Sequence, residues 1–550
     1  MVFLQGIRAV EDNKKGYGYT HTKQGGQRRK SALFDIIFKN ARVLDGTGAP
    51  WFRADVAVKD GFIVKVGKVE GEAKQTIDAK EKYLSPGFID THSHSDSVLV
   101  ENPTADSKVM QGVTLEVIGQ CGSSAAPRNM GLRKQDDPNE DELPEGTPQW
   151  TDMGSYIKVL ESQGVSINVA ALVGHGTVRR QVMGAERRPA TVEEIEKMKN
   201  LVRDAMEQGA FGMSTGLVYV PGRFSETGEI IELAKVVAEY GGIYFTHIRN
   251  ESDRLLEALA EAIEIGNQAK LPVQISHFKA MREPNWHKVP EAIAMVEKAR
   301  EDGLDITADQ YPYIASSTGM SSPLPASAWT GGEGSERLRD PEERKKLLDQ
   351  LRSRYWDKIV VANLEHPDDQ QFIGKSVAEV GEIQGISAEE AALGLLERNR
   401  GSVQIVNFAM NEDDVRTIMR LPWVMVGSDG SALNISTATG KPHPRNYGTF
   451  VRVLGRYVRE YKVLRLEEAV RKMTSLPAMR LGLQDRGILR EGMRADLVLF
   501  DADTVVDNAT YTDPHQYPSG IGYVVVNGMI VVENGEHTGA RPGMVLRRRN

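Results

Sequence analysis

A chain of 550 residues is long enough for a large core and too long for one ordinary hydrophobic domain, so two or more structural units are expected. Hydrophobic residues make up 40% and charged residues 26%, without the apolar deficit of disordered chains, and 68 basic against 76 acidic residues leave a net charge of −8 that disfavours polyanionic partners. A single cysteine, Cys121, excludes an intrachain disulfide. With no run of about 18 uncharged apolar residues and no signal-peptide pattern at the start, the expectation is a cytoplasmic protein with neither nucleic acid nor a membrane as partner.

Residues 1–32 are rich in Gly, Lys, Arg and Gln and predict a flexible basic arm. Short β-branched runs follow at 34–38, 56–58 and 62–66, with Asp60-Gly61 between the last two as a hairpin signal. The same texture returns at 495–500 and 522–532. Each piece is too small to bury a sheet face alone, so 33–85 and 481–550 are predicted to form one composite β-sandwich domain.

Between them, residues 86–480 alternate apolar strand-like runs with helical patterns, which predicts an α/β fold, a (β/α)8 TIM-like barrel. The eight strand candidates are 84–89, 113–118, 167–173, 210–214, 243–247, 273–277, 306–309 and 423–427. A capping box, Thr191 with Glu194, opens a helix over 192–208; Ser252 precedes an apolar stripe of Leu256, Leu259 and Ile263; and 229–240 reads as a helix ended by Gly241-Gly242. The segment at about 316–360 is rich in Ser, Pro, Gly and charge and is predicted as an insertion serving as lid or pocket wall.

Polar residues cluster at one end of these strands. His92 and His94 follow strand one, Cys121 strand two and His175 strand three; His247 ends strand five, His277 ends strand six, and Asp429 follows strand eight. In a barrel these positions converge on the C-terminal mouth. Singly, a strand-end histidine is commonly structural and a lone cysteine a small buried hydrophobe, so the argument rests on the coincidence of all seven. Imidazole, thiolate and carboxylate form the ligand set expected of zinc, whose water ionises near neutral pH. Asp429 could accept that proton and return it to a departing nitrogen. Lys279 and Arg445 offer positive charge to a substrate carboxylate, while Tyr219, Tyr311 and Tyr313 could donate to a substrate oxygen or simply pack.

The run Pro86-Gly87-Phe88-Ile89-Asp90-Thr91-His92-Ser93-His94, with His247, His277 and Asp429, resembles the amidohydrolase superfamily. Narrower motifs resemble its D-aminoacylase, or N-acyl-D-amino-acid deacylase, group: 119–127 around Cys121, Ser276-His277-Phe278-Lys279, 308–313 and 443–450. That resemblance implies a cysteine in place of the bridging carboxylated lysine of many relatives, and strand four indeed carries no lysine in Phe211-Gly212-Met213-Ser214-Thr215. It implies a tightly held zinc on Cys121, His247 and His277, and a second, weaker divalent ion on His92, His94 and Asp429. It also implies a small carboxylate-bearing acyl-amide substrate gripped by Lys279, Arg445 and Tyr219, with His175, Tyr311 and Tyr313 beside it. A homo-oligomer is compatible with the chain. The alternatives are hydrolysis of a cyclic amide, lactone or imine on the same site, or a non-catalytic scaffold.

Overall fold

The structure, a computed structural model, describes residues 33–128, 148–322, 340–351 and 354–548, so the basic arm at 1–32 lies outside the described residues. No helix among the described residues is long and apolar enough to cross a membrane.

The chain ends build one nine-stranded sheet. Phe34–Val43 pairs antiparallel with Phe52–Lys59, which pairs with Phe62–Gly67 across the turn at Asp60 and Gly61. Those two residues have φ of 50° and 83°, the left-handed pair that an Asp-Gly hairpin turn requires. Tyr83–Pro86 then joins the halves, lying parallel to Phe34–Val43 and antiparallel to Leu497–Phe500, and Ile521–Val526 and Met529–Glu533 extend the sheet beyond. Phe38, Val56, Leu84, Leu497, Leu499 and Val525 share one core, so the composite β-sandwich is held by apolar burial from both ends of the sequence.

Eight parallel strands form the barrel: Phe88–Asp90, Val113–Ile118, Asn168–Ala171 continued by Val173–Gly174, Gly212–Gly216, Ile243–His247, Val273–Ile275, Ile306–Gln310 and Val424–Val426. The run predicted at 84–89 is two strands, because it crosses from the sandwich into the barrel at Gly87. A Cβ there would lie 2.1 Å from Thr114 Oγ1, so only glycine lets the crossover sit on strand two. The seam between strands one and eight is closed by polar bonds. Ser428 N donates to Asp90 Oδ1 (2.9 Å), and the buried Lys108 Nζ reaches Asp90 Oδ2 and Ser428 Oγ, both at 2.8 Å. Inside the barrel, Ile89, Leu115, Leu172, Phe211 and Phe245 pack against Ala478 and Leu481, which plug its base.

The predicted helices at 192–208 and 229–240 are present as Val192–Glu207, with its Thr191/Glu194 capping box, and Thr227–Glu239. The helix after Ser252 is Leu255–Ala269 and carries Leu256, Leu259 and Ile263, while the Ser252 hydroxyl bonds Asn250 Oδ1. The insertion is larger than the predicted 316–360. Ser316–Gly319 and Ile359–Leu364 flank Val403–Asn407 in a three-stranded antiparallel sheet. It carries its own core, including Leu351, Trp356, Val361, Leu395 and Ile405, and residues 323–339 of the segment lie outside the described residues. The C-terminal segment also departs from expectation. Val545–Leu546 leaves the sandwich and pairs in parallel with Val169 and Ala170 of strand three, and Arg547 is salt-bridged to Glu161 at 2.6 Å.

Candidate metal centre and active-site cavity

Cys121, His277 and Asp429 share a backbone feature, with φ of 53°, 36° and 52°. Non-glycine residues seldom occupy this left-handed region, and each marks the point where a strand has ended and its loop turns a side chain inward. Strand six accordingly stops at Ile275, short of the predicted 277. The Cys121 loop is packed backbone to backbone on strand four: a Cβ on Gly216 would lie 2.0 Å from Cys121 O, and one on Gly122 would lie 2.6 Å from Gly216 N.

Cys121 Sγ lies 3.3 Å from His92 Nε2 and 3.5 Å from His277 Nε2, and His92 Nε2 lies 3.5 Å from Asp429 Oδ1. Donors spaced ~3.3–3.8 Å apart are edges of a tetrahedron around an ion at ~2.0–2.3 Å, the bond lengths zinc makes to nitrogen, oxygen and sulfur. Donor atoms of His92, Cys121, His277 and Asp429 all lie within 4.8 Å of one another, and so do those of His247, Glu251 and His277. The residues therefore form a binuclear metal-binding site of two overlapping groups that share His277. His94 joins through Asp429, at 2.9 Å from its Oδ1. His277 stands in both groups, and Glu251, a residue the sequence reading missed, stands beside it in the second.

Glu251 follows His247 by four positions in an irregular loop, a spacing with no periodic signal. Its Oε1 lies 2.9 Å from His277 Nδ1, its Oε2 3.4 Å from His247 Nε2, and Lys279 Nζ is in close contact with it. A carboxylate on the outer ring nitrogen fixes the tautomer that leaves Nε2 to face the thiolate. Asp309 stands likewise behind His92, 3.3 Å from its Nδ1, while accepting from His277 N at 2.7 Å.

Electrostatics favour the anionic forms of these donors. Burial pushes the Cys121 thiol up, but His92 and His277 beside it hold it well below its ordinary value. Burial likewise raises Asp429, and the Arg445 guanidinium, foremost among its neighbours, brings it well below the carboxylate range. Burial lowers His94 and His247, yet Asp429 at the first and Glu251 at the second lift both to about 9. A cluster this rich in competing charge, at a barrel mouth, has the character of a functional site.

The site opens into a cavity of about 810 Å³ whose lining includes His94, Cys121, Asp429, Tyr219 and Arg445. Ser317 and Thr318 of the insertion form part of its wall. Tyr219 lays its ring 5.1 Å from that of His247, and its hydroxyl is 3.2 Å from Thr318 Oγ1. Tyr311 is buried with Arg445 5.1 Å and Lys279 5.7 Å from its ring centre, and its hydroxyl has no hydrogen-bond partner among the described residues. Tyr311 and Lys279 lie behind the lining, next to Arg445, and Tyr313 and His175 do not line this cavity either. Tyr313 packs edge-on against His443, with Arg452 over its ring, and His175 Nε2 is bonded to Glu229 Oε1 at 2.8 Å. His175 follows strand three as expected, but it opens a helix, His175–Met183, and there it meets the neighbouring helix instead of the mouth.

Comparison with known proteins agrees with this architecture. The Amidohydrolase family model matches residues 75–363 and 338–532. An N-acyl-D-glutamate deacylase from Alcaligenes xylosoxydans xylosoxydans is 38% identical, the match covering 94% of this chain and 96% of the relative. A D-aminoacylase from the same organism is 35% identical over 94% of this chain and 98% of its own. The crystal structure of N-acyl-D-glutamate deacylase from Bordetella bronchiseptica, complexed with zinc and a phosphonate inhibitor, superposes with a TM-score of 0.80 at 36% identity, over 94% of this chain and 100% of that one. Two-ended sandwich, barrel and cysteine-centred ligand cluster thus occur together in a metal-dependent enzyme of the amidohydrolase family, and within that family this chain belongs to the D-aminoacylase, or N-acyl-D-amino-acid deacylase, group.

Proposed function

We propose that this protein hydrolyses the amide bond of N-acyl-D-amino acids, releasing a carboxylate and a free D-amino acid. The observation that carries the reading is the convergence of Cys121 with His92, His277 and Asp429 beneath a cavity sized for a small molecule, in a chain similar over nine-tenths of its length to deacylases. Divalent ions, with zinc best suited to this donor set, supply Lewis acidity and a water that ionises near neutral pH when bound.

The remaining chemistry belongs to side chains. Asp429 is kept ionised by Arg445 and shares Oδ1 with His94, which suits it to take a proton from the attacking water and pass it to the departing nitrogen. Tyr219, over His247 and lining the cavity, is placed to donate to the acyl oxygen as charge develops there. The free hydroxyl of Tyr311, with Lys279 and Arg445 flanking its ring, makes a receptor for the substrate carboxylate. Lys279 now spends its donors on Glu251 and on the carbonyl of His277, so an incoming carboxylate would take over one of these contacts. His175 and Tyr313 position their loops and do not touch substrate.

The deciding experiment is a hydrolysis screen of the zinc-supplied protein against N-acyl-D and N-acyl-L amino acids, cyclic amides, lactones and imines. Selective turnover of the N-acyl-D compounds is expected. Turnover confined to another class would replace this reading, since barrel and metal site are common to all of them.

A further inference from the structure

The lining of the cavity includes, besides the metal ligands and Arg445, two further arginines, Arg180 and Arg223. Strand four ends at Gly216 and its loop turns back through the short 3-10 helix Gly222–Phe224, which sets Arg223 beside Tyr219; Arg223 N donates to Tyr219 O at 2.7 Å. Both side chains line the cavity. Arg180 comes to the same wall from the helix His175–Met183 and braces the loop by donating from Nη2 to Val220 O at 3.1 Å.

The Arg223 guanidinium is half-buried and makes no hydrogen bond or ion pair among the described residues, unlike Arg445 and Lys279. Burial, and then the positive charge of Arg187 nearby, both press its pKa down. A charge withdrawn from water, next to a like charge and without a counter-ion, costs free energy that a ligand anion would return. The cavity lining also carries hydroxyls and amides such as Ser321, Asn363, Gln404 and Asn434, which can share in holding a polar group brought to Arg223.

From this we infer that Arg223 is a specificity-determining residue that receives a second carboxylate of the substrate, distinct from the one assigned above to Tyr311, Lys279 and Arg445. The preferred substrates are then N-acyl-D-amino acids bearing an additional anionic group, either on the D-side chain or at the end of the acyl chain. This rests on the deacylase reading and narrows it.

The test compares kcat/KM within two isosteric pairs on the zinc-loaded full chain: N-acetyl-D-glutamate against N-acetyl-D-glutamine, and N-succinyl-D-alanine against its terminal amide. Every member keeps the α-carboxylate, so only the second charge differs. The native protein should favour the charged member of one pair by about 10-fold to 100-fold, the range of one charge-assisted hydrogen bond. The pair that shows this identifies which end Arg223 holds. In Arg223→Gln the preference should fall to about one, and in Arg223→Lys it should return in part, because the lysine keeps the charge without the planar fork. A ratio measured on one preparation is insensitive to the fraction of folded, metal-loaded protein, so a merely structural role for Arg223 leaves it unchanged. Hydrolysis of all four compounds with no charge preference, or a preference that survives Arg223→Gln, overturns this inference and spares the deacylase reading. Failure to hydrolyse any of the four while other N-acyl-D-amino acids are turned over overturns this inference alone, and failure to turn over any N-acyl-D-amino acid overturns both.

Discussion

Arg445 donates from Nη1 to Oδ2 of Asp429 across 2.7 Å, with both side chains at most 9% exposed. The guanidinium proposed to grip substrate is thus also the counter-ion of the proposed base. Removing it leaves Asp429 buried with its principal stabiliser gone, so the carboxyl pKa rises and the protonated, inactive form persists to higher pH. In Arg445→Ala the acid limb of the kcat/KM profile should move upward in pH, and in Arg445→Lys it should move less. The overall loss should be about 30-fold to 1000-fold, the size of one buried charge-assisted contact. If Arg445 serves only the loop, melting temperature falls and the acid limb stays where it was.

Metal content should depend on the thiol. Cys121→Ala removes the donor that stands between His92 and His277, and elemental analysis of the purified variant should find at least one ion fewer than in the native protein. Undiminished metal would remove Cys121 from the ligand set.

Glu251 ties Lys279, His247 and His277 into one buried charge group. Glu251→Gln should weaken metal binding by about 10-fold to 100-fold, the usual cost of losing an outer partner of a ligating histidine. It should also lower the melting temperature, because Lys279 is left buried without its anion. Adding Lys279→Met should restore the melting temperature while metal affinity, read by competition with a chromogenic chelator, stays low. Recovery of both together would reduce Glu251 to a structural counter-ion.

The metal-free protein should have its own pH dependence. His94 and His247 are lifted from 6.5 to about 9, so protonation stabilises the folded metal-free chain. That contribution is fully present below about pH 6.5 and is lost as pH rises through about 9. Chelator-stripped protein should therefore melt at progressively lower temperature between these limits, and zinc-loaded protein should not, since the ions replace the protons. A flat melting profile for the stripped protein would show that these histidines are not held in the charged form.

What the sequence disclosed follows from the range of the interactions involved. Strands such as Val113–Ile118 and Ile243–His247 are buried at every position and are dominated by β-branched, aromatic and other apolar residues, so the barrel and the order of its ligands were legible. The Asp60-Gly61 turn and the Thr191 capping box are set by neighbours in sequence and were legible for that reason. Illegible features depend on distant partners or on unusual backbone. Ser316–Gly319 has no strand-like composition and is a strand only because Val403–Asn407 pairs with it. Glu251 is defined by what surrounds it in space, and Lys279 reaches the site although strand six had already ended, through the turn forced by the left-handed backbone of His277. His175 sat at the right end of the right strand, yet it begins a helix whose next neighbour, Glu229, claims its ring.

The pairing of Val545 with Val169 has a consequence for biogenesis. Met544 N donates to Asn168 Oδ1 across 376 positions of sequence, and Leu84 waits in the same way for Leu499. A ribosome adding about 5–20 residues per second needs tens of seconds to deliver the later partners. Throughout that interval Val169, Leu84 and their neighbours present bare, apolar strand edges, templates for pairing with another nascent chain. Neither the sandwich nor the third barrel strand can be finished early, so productive folding is chiefly post-translational. Yield in a cell-free system should then respond to chaperones that shield hydrophobic edges far more than to slower translation.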